Sequence, residues 1–422
     1  MPSSLNSLTL PISSRLAENI LLAPAQEAFS KDRLSFLAEL SRELLNGREF
    51  RAHPDLVTFA FFIRPTNLRK YLSTHGPLSG YSKIGVGSAL HISPGNIPIN
   101  FAFSWLYGFI AGCSNLVRLP SKPSPQSDYF LDVFSRLISK PKYRFFEESN
   151  YFFRSERGDP ALENLLGKVD ALIVWGGDET VDYFRNMKMG PDVRQLYFPS
   201  RQSSLIMSSD EVLATLKSSL RDEFVKNTYN DTFLTDCNAC SSPSKIFFIG
   251  SHVANEKASG EFFAALEAFV LLQDRKPPII QRMMDSLASH EYGGSDLVLE
   301  SHGVAIKTLS PGSDEHTGGR PLRFGVFAKY MLSSISEVSA ELSDNEQTVL
   351  HWGLPERELE KLMTDPLWRR SSASRLVPLG SALEIGFFWE GRDNPSALIK
   401  FVQKDLESKE IEVVDETQSG PS

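Results

Sequence analysis

Strand-sized apolar runs alternate with helix-length segments along most of this chain, and this alternation limits what it can fold into. The strand-sized runs are Ile84–Ile92, Leu116–Leu119, Arg144–Glu147, Ala171–Trp175, Ser204–Ser208 and Ile246–Ile249. The segments with helical periodicity are Asn100–Ala111, Gln126–Ser139, Thr180–Met187, Asp210–Val225 and Glu261–Leu272. Strands joined by helices pair in parallel, and the helices cover both faces of the sheet. The pattern therefore predicts an α/β fold with a largely parallel sheet.

The sequence also predicts the structure of the two ends of the chain and of one long loop. Ser30 precedes an amphipathic run that stops at Gly47, which predicts an N-terminal helix capped by that serine. The stretch 308–321 is rich in Gly, Pro, Ser and Asp and is predicted to be a loop. After Gln403 we expect a short charged helix and a frayed tail.

Composition excludes several classes of protein. With 422 residues the chain is long enough for roughly two or three domains. Its net charge of -8 argues against non-specific binding to nucleic acid. Three cysteines are too few for a disulfide framework and predict a reducing compartment. The longest apolar segment, 99–113, falls short of the roughly 20 residues that a membrane span needs, and the N-terminus does not resemble a secretory signal. We expect a cytoplasmic protein without a membrane span.

Polar or glycine-rich segments follow several of the strands, where open α/β sheets bind ligands. The segment His91-Ile-Ser-Pro-Gly-Asn-Ile-Pro98 is stiffened by two prolines and could aim the Asn96 amide at a developing oxyanion. The spacing alone favours the alternative, a tight turn in which Asn96 satisfies its own backbone. In Trp175-Gly176-Gly177, glycines ahead of a helix could admit a phosphate, or could form an ordinary turn before an N-cap.

The segment around Cys240 is the third candidate for a functional site. Cys240 lies in a small, polar segment closed by a proline, which suits a nucleophilic thiol. The alternatives are a buried structural cysteine and a dithiol pair with Cys237. A zinc site is disfavoured because Cys113 is the only further cysteine, and the histidines lack metal-ligand spacing. No metal site is predicted.

Four segments, taken together and in this order, resemble the LuxC-type acyl-CoA reductases of the aldehyde dehydrogenase superfamily. The segments are HISPGNIPINFAFSWLYGFIAGCSNLVRLPSK (91–122), VDALIVWGGDETV (169–181), TDCNACSSPSKIFFIG (235–250) and RLVPLGSALEIGFFWEG (375–391). The resemblance implies a Rossmann-like cofactor domain and an α/β catalytic domain. We divide the chain accordingly into residues 1–204 (N-terminal helices and NADP-binding domain), 205–374 (catalytic domain), 375–402 (a return to the cofactor domain) and 403–422 (a polar tail).

The resemblance also implies roles for single residues. Cys240 would be the nucleophile, and Asn96 the oxyanion-stabilising asparagine. Lys122 stands where NAD-preferring members commonly have glutamate, so the resemblance favours the 2′-phosphate of NADPH. The residues implied in cofactor binding are Ser93, Pro94, Gly95, Arg118, Ser121, Lys122, Trp175, Gly176 and Gly177.

Two departures from the family pattern bear on the chemistry. Cys237 stands where members often have glutamine, which places a second thiol near the nucleophile. The segment 199–205 lacks the glutamate with which hydrolytic aldehyde dehydrogenases activate water, and this suits acyl transfer between thiols.

The resemblance therefore predicts NADPH-dependent reduction of an acyl thioester, acyl-CoA or carrier-bound, to an aldehyde through an acyl-cysteine. A homo-oligomer and an acyl-transferring partner enzyme are implied only by similarity. The alternatives are a catalytically silent subunit with the same fold and a dithiol oxidoreductase.

Overall fold

The computed structural model describes residues 14–47, 53–75, 80–95, 97–155, 159–273, 297–298, 304–309 and 322–404. The helices in these ranges are α1 Ser14–Leu21, α2 Lys31–Asn46, α3 Pro54–Phe62, α4 Pro65–Leu72, α5 Asn100–Ala111, α6 Pro125–Ile138, α7 Pro160–Leu166, α8 Asp178–Arg185, α9 Ser209–Leu216, α10 Arg221–Thr232, α11 His252–Leu272, α12 Val338–Glu341, α13 Glu356–Thr364 and α14 Asn394–Ala397. The strands are β1 Tyr81–Gly85, β2 Ser88–Ile92, β3 Ser114–Arg118, β4 Asn150–Phe153, β5 Ala171–Trp175, β6 Arg194–Phe198, β7 Gln202–Ser208, β8 Pro243–Ile249, β9 Leu297–Val298, β10 Ala305–Leu309, β11 Val326–Leu332, β12 Glu346–Trp352, β13 Arg375–Pro378, β14 Phe388–Trp389, β15 Arg392–Asp393 and β16 Ile399–Gln403.

The first large sheet has the order β4-β3-β2-β5-β6, and all its strands are parallel. The residues of its central strands are buried, because helices cover both faces. Aromatic side chains of α2, α5 and α6 dominate one core; Phe36, Trp105 and Phe134 meet there with ring centroids 5.4–6.5 Å apart. This sheet confirms the predicted α/β class.

The second large sheet has the order β13-β12-β7-β8-β11-β10-β9. Its strands are parallel except for β9, which runs antiparallel to β10. Helices α10 and α11 pack their apolar side chains on it, among them Phe224 and Phe262. The chain passes from the first sheet to the second between Phe198 and Gln202, so the amino end of β7 follows almost directly on the carboxyl end of β6.

The C-terminal segment leaves the second sheet after β13 and packs against the first core. Phe387, Trp389 and Leu398 are buried there, and β16 pairs antiparallel with β1. The Tyr71 hydroxyl donates to the Asp393 carboxylate at 2.7 Å, which ties the segment to α4. The domain boundaries given above remain a prediction.

Most of the predicted elements are confirmed with small shifts, and Ser30 caps α2 by accepting from the Arg33 N–H. The predicted strand Arg144–Glu147 is wrong: residues 144–149 form a 3₁₀ helix, and the strand is β4. All four residues of β4 are buried, whereas the charged ends of Arg144–Glu147 suit the surface.

Two predicted elements are each divided. Ile84–Ile92 is broken at Gly87, where φ is +133° and a Cβ would collide with Asp170. Asp210–Val225 is broken between α9 and α10. The predicted tail and residues 310–321 of the predicted loop lie outside the described residues. Within the described ranges, no helix is both long and apolar enough to cross a membrane.

Candidate active site

A cleft of about 1160 Å³ lies where the two large sheets meet. The carboxyl ends of β2, β3, β5 and β6 form one wall through Ile92, Arg118, Trp175 and Phe198. The loops before β8 and β11 and the amino end of β7 form the opposite wall. The carboxyl ends of the first sheet, where open α/β sheets bind ligands, therefore face the amino ends of the second.

The loop after β2, predicted to be stiffened by its prolines, has open space beside Gly95. Gly95 is exposed, and a Cβ there would have no neighbour within 4 Å. Ser93 is buried and lines the cleft, and its hydroxyl has no partner among the described residues. Pro94 lies between them on the cleft wall. Asn96 is outside the described residues, so its role in binding an oxyanion stays a prediction.

The turn after β5 leads directly into α8, whose N-cap is Gly177. A Cβ on Gly176 would come within 3.0 Å of the Thr180 side chain, so the tight turn favours glycine there. The Asp178 carboxylate accepts a hydrogen bond at 3.0 Å from the backbone N–H of Ser200. That acidic side chain is therefore held by the neighbouring loop. Trp175 stacks on Phe198 at 3.8 Å, and both rings line the cleft.

The last residue of β3 is a buried arginine, and the segment after the strand carries an exposed lysine. The Arg118 guanidinium donates to the carbonyl oxygen of Ser155 at 2.7 and 3.1 Å, which fixes the loop after β4. Ser121 and Lys122 are exposed and line the same cleft. Lys122 is thus accessible to an anionic group at this wall.

Cys240 lies on the opposite wall, half-buried, in the loop between α10 and β8. The Ser203 hydroxyl donates to its carbonyl oxygen at 2.8 Å. Its side chain packs against the apolar core of the first sheet, although its loop belongs to the second. The structure therefore brings the predicted nucleophile and the described candidate cofactor residues to one cleft.

The Cys240 thiol has a pKa raised to about 11, chiefly by burial and then by the negative charge of Glu390. A hydrogen bond from Gln347 and the positive charge of Arg375 act in the opposite direction. The thiol is therefore protonated at neutral pH in the free protein, and a nucleophilic reaction requires its proton to be lost first.

Cys237 differs from Cys240 in its surroundings. It is buried in the apolar cluster of the second sheet, and burial raises the pKa of its thiol to about 12. Asp236 and Cys237 both adopt a positive φ, 52° and 55°, which turns the chain sharply before the nucleophile. A thiol in these surroundings is a poor nucleophile.

Sequence reasoning missed a polar group behind Cys240. The pKa of the Cys240 thiol is affected by Glu390, Gln347 and Arg375. Arg201 in turn forms an ion pair with Glu390. These residues come from distant parts of the chain, so no local spacing could have shown that they meet. The segment 199–205 does lack a glutamate, but the C-terminal segment supplies a carboxylate from elsewhere.

Five aromatic residues of α3 and α5 have different environments. Phe103 lines the cleft, whereas Phe101 and Trp105 are fully buried core residues and Phe61 is exposed. Phe62 packs between Phe103 and Phe387, with ring centroids 5.8 and 4.7 Å away. The apolar residues that line the cleft include Ile97, Phe103, Leu234, Leu322, Leu383 and Ile385. No group of three or more His, Cys, Asp or Glu side chains in the described part of the chain could hold a metal ion.

Sequence comparison finds a matching protein family and a similar protein. The model of the family described as acyl-CoA reductase (LuxC) matches residues 20–286. A long-chain acyl-protein thioester reductase of Vibrio harveyi is 25% identical over 166 residues, which are 39% of this chain and 32% of that protein. The matched region is thus about a third of that relative's length.

Solved structures show the same fold. An NAD-dependent aldehyde dehydrogenase of Sinorhizobium meliloti superposes with a TM-score of 0.62 and 13% identity, over 95% of this chain and 86% of the other. An aldehyde dehydrogenase of Bacillus cereus, solved as its NAD⁺ complex, superposes with a TM-score of 0.62 and 12% identity, over 93% of this chain and 89% of the other. The fold is therefore that of the aldehyde dehydrogenases. Because the family model matches more than half of the sequence, this chain belongs to the acyl-CoA reductase (LuxC) family.

Proposed function

We propose that this protein reduces an acyl thioester, with fatty acyl-CoA as the expected substrate, to the aldehyde, using NADPH and a covalent acyl-Cys240 intermediate. The observation that carries the proposal is that Cys240 and the residues after β2, β3 and β5 line one cleft. Membership of the acyl-CoA reductase family supports the choice of a thioester.

The residues of the first sheet fit a dinucleotide. The B. cereus relative of the same fold binds NAD⁺, which supports a nicotinamide cofactor here. Gly95 leaves open space beside the backbone, Gly177 makes only an ordinary contact with Ser200, and the N-terminus of α8 favours a pyrophosphate. The buried Ser93 hydroxyl has an unused hydrogen-bonding capacity in the same cleft. Lys122, exposed at the cleft, supports NADPH over NADH through its charge.

Cys240 would begin the reaction by losing its thiol proton and forming a bond from sulfur to the thioester carbonyl carbon. Asn96 is proposed to donate to the resulting oxyanion. The bond to the departing thiol then breaks, and that thiolate, whose conjugate acid has a pKa near 8.5, takes up a proton. When bound, the reduced nicotinamide supplies the hydride that converts the acyl group to the aldehyde level. Cleavage of the carbon–sulfur bond releases the aldehyde and regenerates Cys240.

The substrate's acyl group would lie against the apolar side chains that line the cleft. Phe103, Ile97 and Ile385 are partly or fully buried there and offer a surface for an alkyl chain. Since the V. harveyi relative is named for an acyl-protein thioester, a carrier-bound acyl group delivered by a partner enzyme is the second donor to test. A homo-oligomer and a cytoplasmic location remain predictions.

The test follows NADPH and NADH oxidation with acyl-CoA thioesters of increasing chain length. Wild type is expected to consume NADPH and form aldehyde, and Cys240→Ala is expected to lose this activity entirely. The same assay with acyl-carrier thioesters identifies the donor. Absence of aldehyde with every thioester and both cofactors would refute the proposal.

A further inference from the structure

A buried carboxylate in the last turn of α10 holds a loop from a distant part of the chain, residues 379–385. Asp231 is only 1% exposed, and its two oxygens accept hydrogen bonds from the backbone N–H groups of Gly380 at 2.6 Å and Ala382 at 3.0 Å. Burial raises the pKa of Asp231 to about 6, so the carboxyl group is charged at neutral pH. A charged acceptor binds these N–H groups more strongly than a neutral one would.

Arg375, the first residue of β13, holds the carbonyl groups of the same loop. Its guanidinium donates to the carbonyl oxygens of Ser381, Ala382 and Glu384 at 3.0–3.1 Å. The planar guanidinium presents its donors in fixed directions, which a lysine could not reproduce. Residues 379–385 contain neither helix nor strand, so these two side chains do for the loop what a backbone ladder does for a sheet.

The backbone at Gly380 adds an independent observation. Its φ is +101°, a conformation that glycine adopts without strain. A Cβ at this position would lie 3.0 Å from the side-chain Cγ of Asn227, which belongs to α10. The loop therefore lies directly against the helix that carries Asp231, and the contact leaves no room for a side chain.

Loop 379–385 connects the two apolar cores at the cleft. Leu379 and Ala382 are buried in the cluster of the second sheet, whereas Ile385 packs against the core of the first. Leu383 and Ile385 both line the cleft that contains Cys240. The position of this loop therefore sets the position of an apolar part of the cleft wall.

We propose that Asp231, together with Arg375, is a positioning residue that holds loop 379–385 as the cleft wall for the acyl chain. The inference rests on the proposed function in taking the cleft as the acyl site. Because α10 leads into the loop of Cys240, the same carboxylate keeps this wall in a fixed relation to the nucleophile. A long acyl chain buries more apolar surface on the wall than a short one, so the clamp selects for long chains.

The test measures KM and kcat of the full-length protein for butyryl-, octanoyl- and palmitoyl-CoA with NADPH. Asp231→Asn exchanges one acceptor oxygen for an N–H₂ group, so one of the two bonds to the loop is lost. We expect the KM for palmitoyl-CoA to rise about tenfold, while kcat and the KM for butyryl-CoA stay within about threefold of wild type.

Asp170→Asn is the matched control. The Asp170 carboxylate also accepts a hydrogen bond from the backbone of a distant segment, the N–H of Ser88 at 2.7 Å. It lies just before β5, at the end of the first sheet that is directed away from the cleft. Its dependence of KM on chain length should equal that of wild type.

A second variant moves the loop without changing the carboxylate. Gly380→Ala places a Cβ against Asn227 and disfavours the positive φ, so it should produce the same selective rise in the KM for palmitoyl-CoA. It also serves if Asp231→Asn does not fold, which denaturation curves reveal. An equal loss of kcat with every thioester, or an unchanged ratio of the KM values for palmitoyl- and butyryl-CoA, would overturn the inference.

Binding of the fluorescent fatty acid cis-parinaric acid separates this inference from the proposed reaction. Its Kd is measured without cofactor or thioester, and we expect it to rise about tenfold in both variants. If wild type reduces no thioester but this difference in Kd is found, the inference is supported and the proposed reaction is refuted. If no thioester is reduced and the Kd is unchanged in the variants, or the probe does not bind, both are refuted.

Discussion

The Ser203 hydroxyl donates a hydrogen bond to the carbonyl oxygen of Cys240 at 2.8 Å. The same hydroxyl accepts one from the backbone N–H of Thr348 at 3.1 Å. Ser203 lies on β7 and Thr348 on β12, so one buried side chain connects the nucleophile's loop to two strands. The sulfur of Cys240 is thereby positioned from the rigid sheet and not by its loop alone.

Replacing Ser203 by alanine is expected to weaken both the fold and catalysis. The buried carbonyl and N–H groups would lose a partner, which costs about 1–3 kcal/mol in the free energy of unfolding. A displaced sulfur would lower kcat by up to about 100-fold. Chemical denaturation and thioester reduction measure the two effects.

Ser259→Ala is the control, because Ser259 is equally buried but donates to the Glu256 carbonyl within α11. It should leave kcat unchanged. An unaltered kcat in Ser203→Ala as well would show that the hydroxyl does not position the nucleophile.

Replacing Cys237 by alanine distinguishes thioester reduction from dithiol chemistry. Cys237 is buried among apolar side chains, so its loss should cost about 1 kcal/mol of stability and leave the thioester activity within about threefold of wild type. A dithiol oxidoreductase would lose all activity. Parallel assays with an acyl thioester and a disulfide substrate decide between these outcomes.

Replacing Lys122 by glutamate is expected to change the cofactor preference. Lys122 is exposed at the cleft, and reversing its charge should repel a 2′-phosphate. We expect the ratio of kcat/KM for NADPH to that for NADH to fall by at least about tenfold, a difference of about 1.4 kcal/mol.

Lys168→Glu provides the matched change of charge on an exposed lysine two residues after α7. Its ratio should match that of wild type. An unchanged ratio in Lys122→Glu would remove the basis for preferring NADPH.

His91 is expected to make the stability depend on pH. It is fully buried between Ser104 and Asn115, and burial lowers its pKa from 6.5 to about 4. Between these values the unfolded chain binds more protons than the folded one, so stability falls as the pH falls from about 6.5 to 4. Over this pH range the free energy of unfolding falls by a total on the order of 3 kcal/mol.

Denaturation curves at pH 4 to 7 test this expectation. His91→Gln cannot titrate and should flatten the dependence, whereas His252→Gln, at an exposed position of α11, should retain it. A slope that persists in His91→Gln would assign the effect to other groups.

The sequence alone determined the α/β class, most elements and the identity of the segments that line the cleft. Alternating apolar runs and helical periods are local, and the turn at Gly176 and Gly177 follows from residues a few positions apart. These features could be predicted because they depend on contacts within a short stretch of chain. The wrong strand at Arg144–Glu147 arose where two phenylalanines between charged residues resemble a buried strand.

Only the tertiary structure decided what surrounds Cys240. Ser203 of β7 donates to its carbonyl oxygen and accepts from Thr348 of β12, because β7 and β12 are neighbours in the second sheet although they lie far apart in sequence. Glu390 reaches it because the C-terminal segment returns to the first core, and Arg201 then pairs with it across 189 positions. Burial and neighbouring charge set the ionisation of the thiol, and both depend on how distant segments pack.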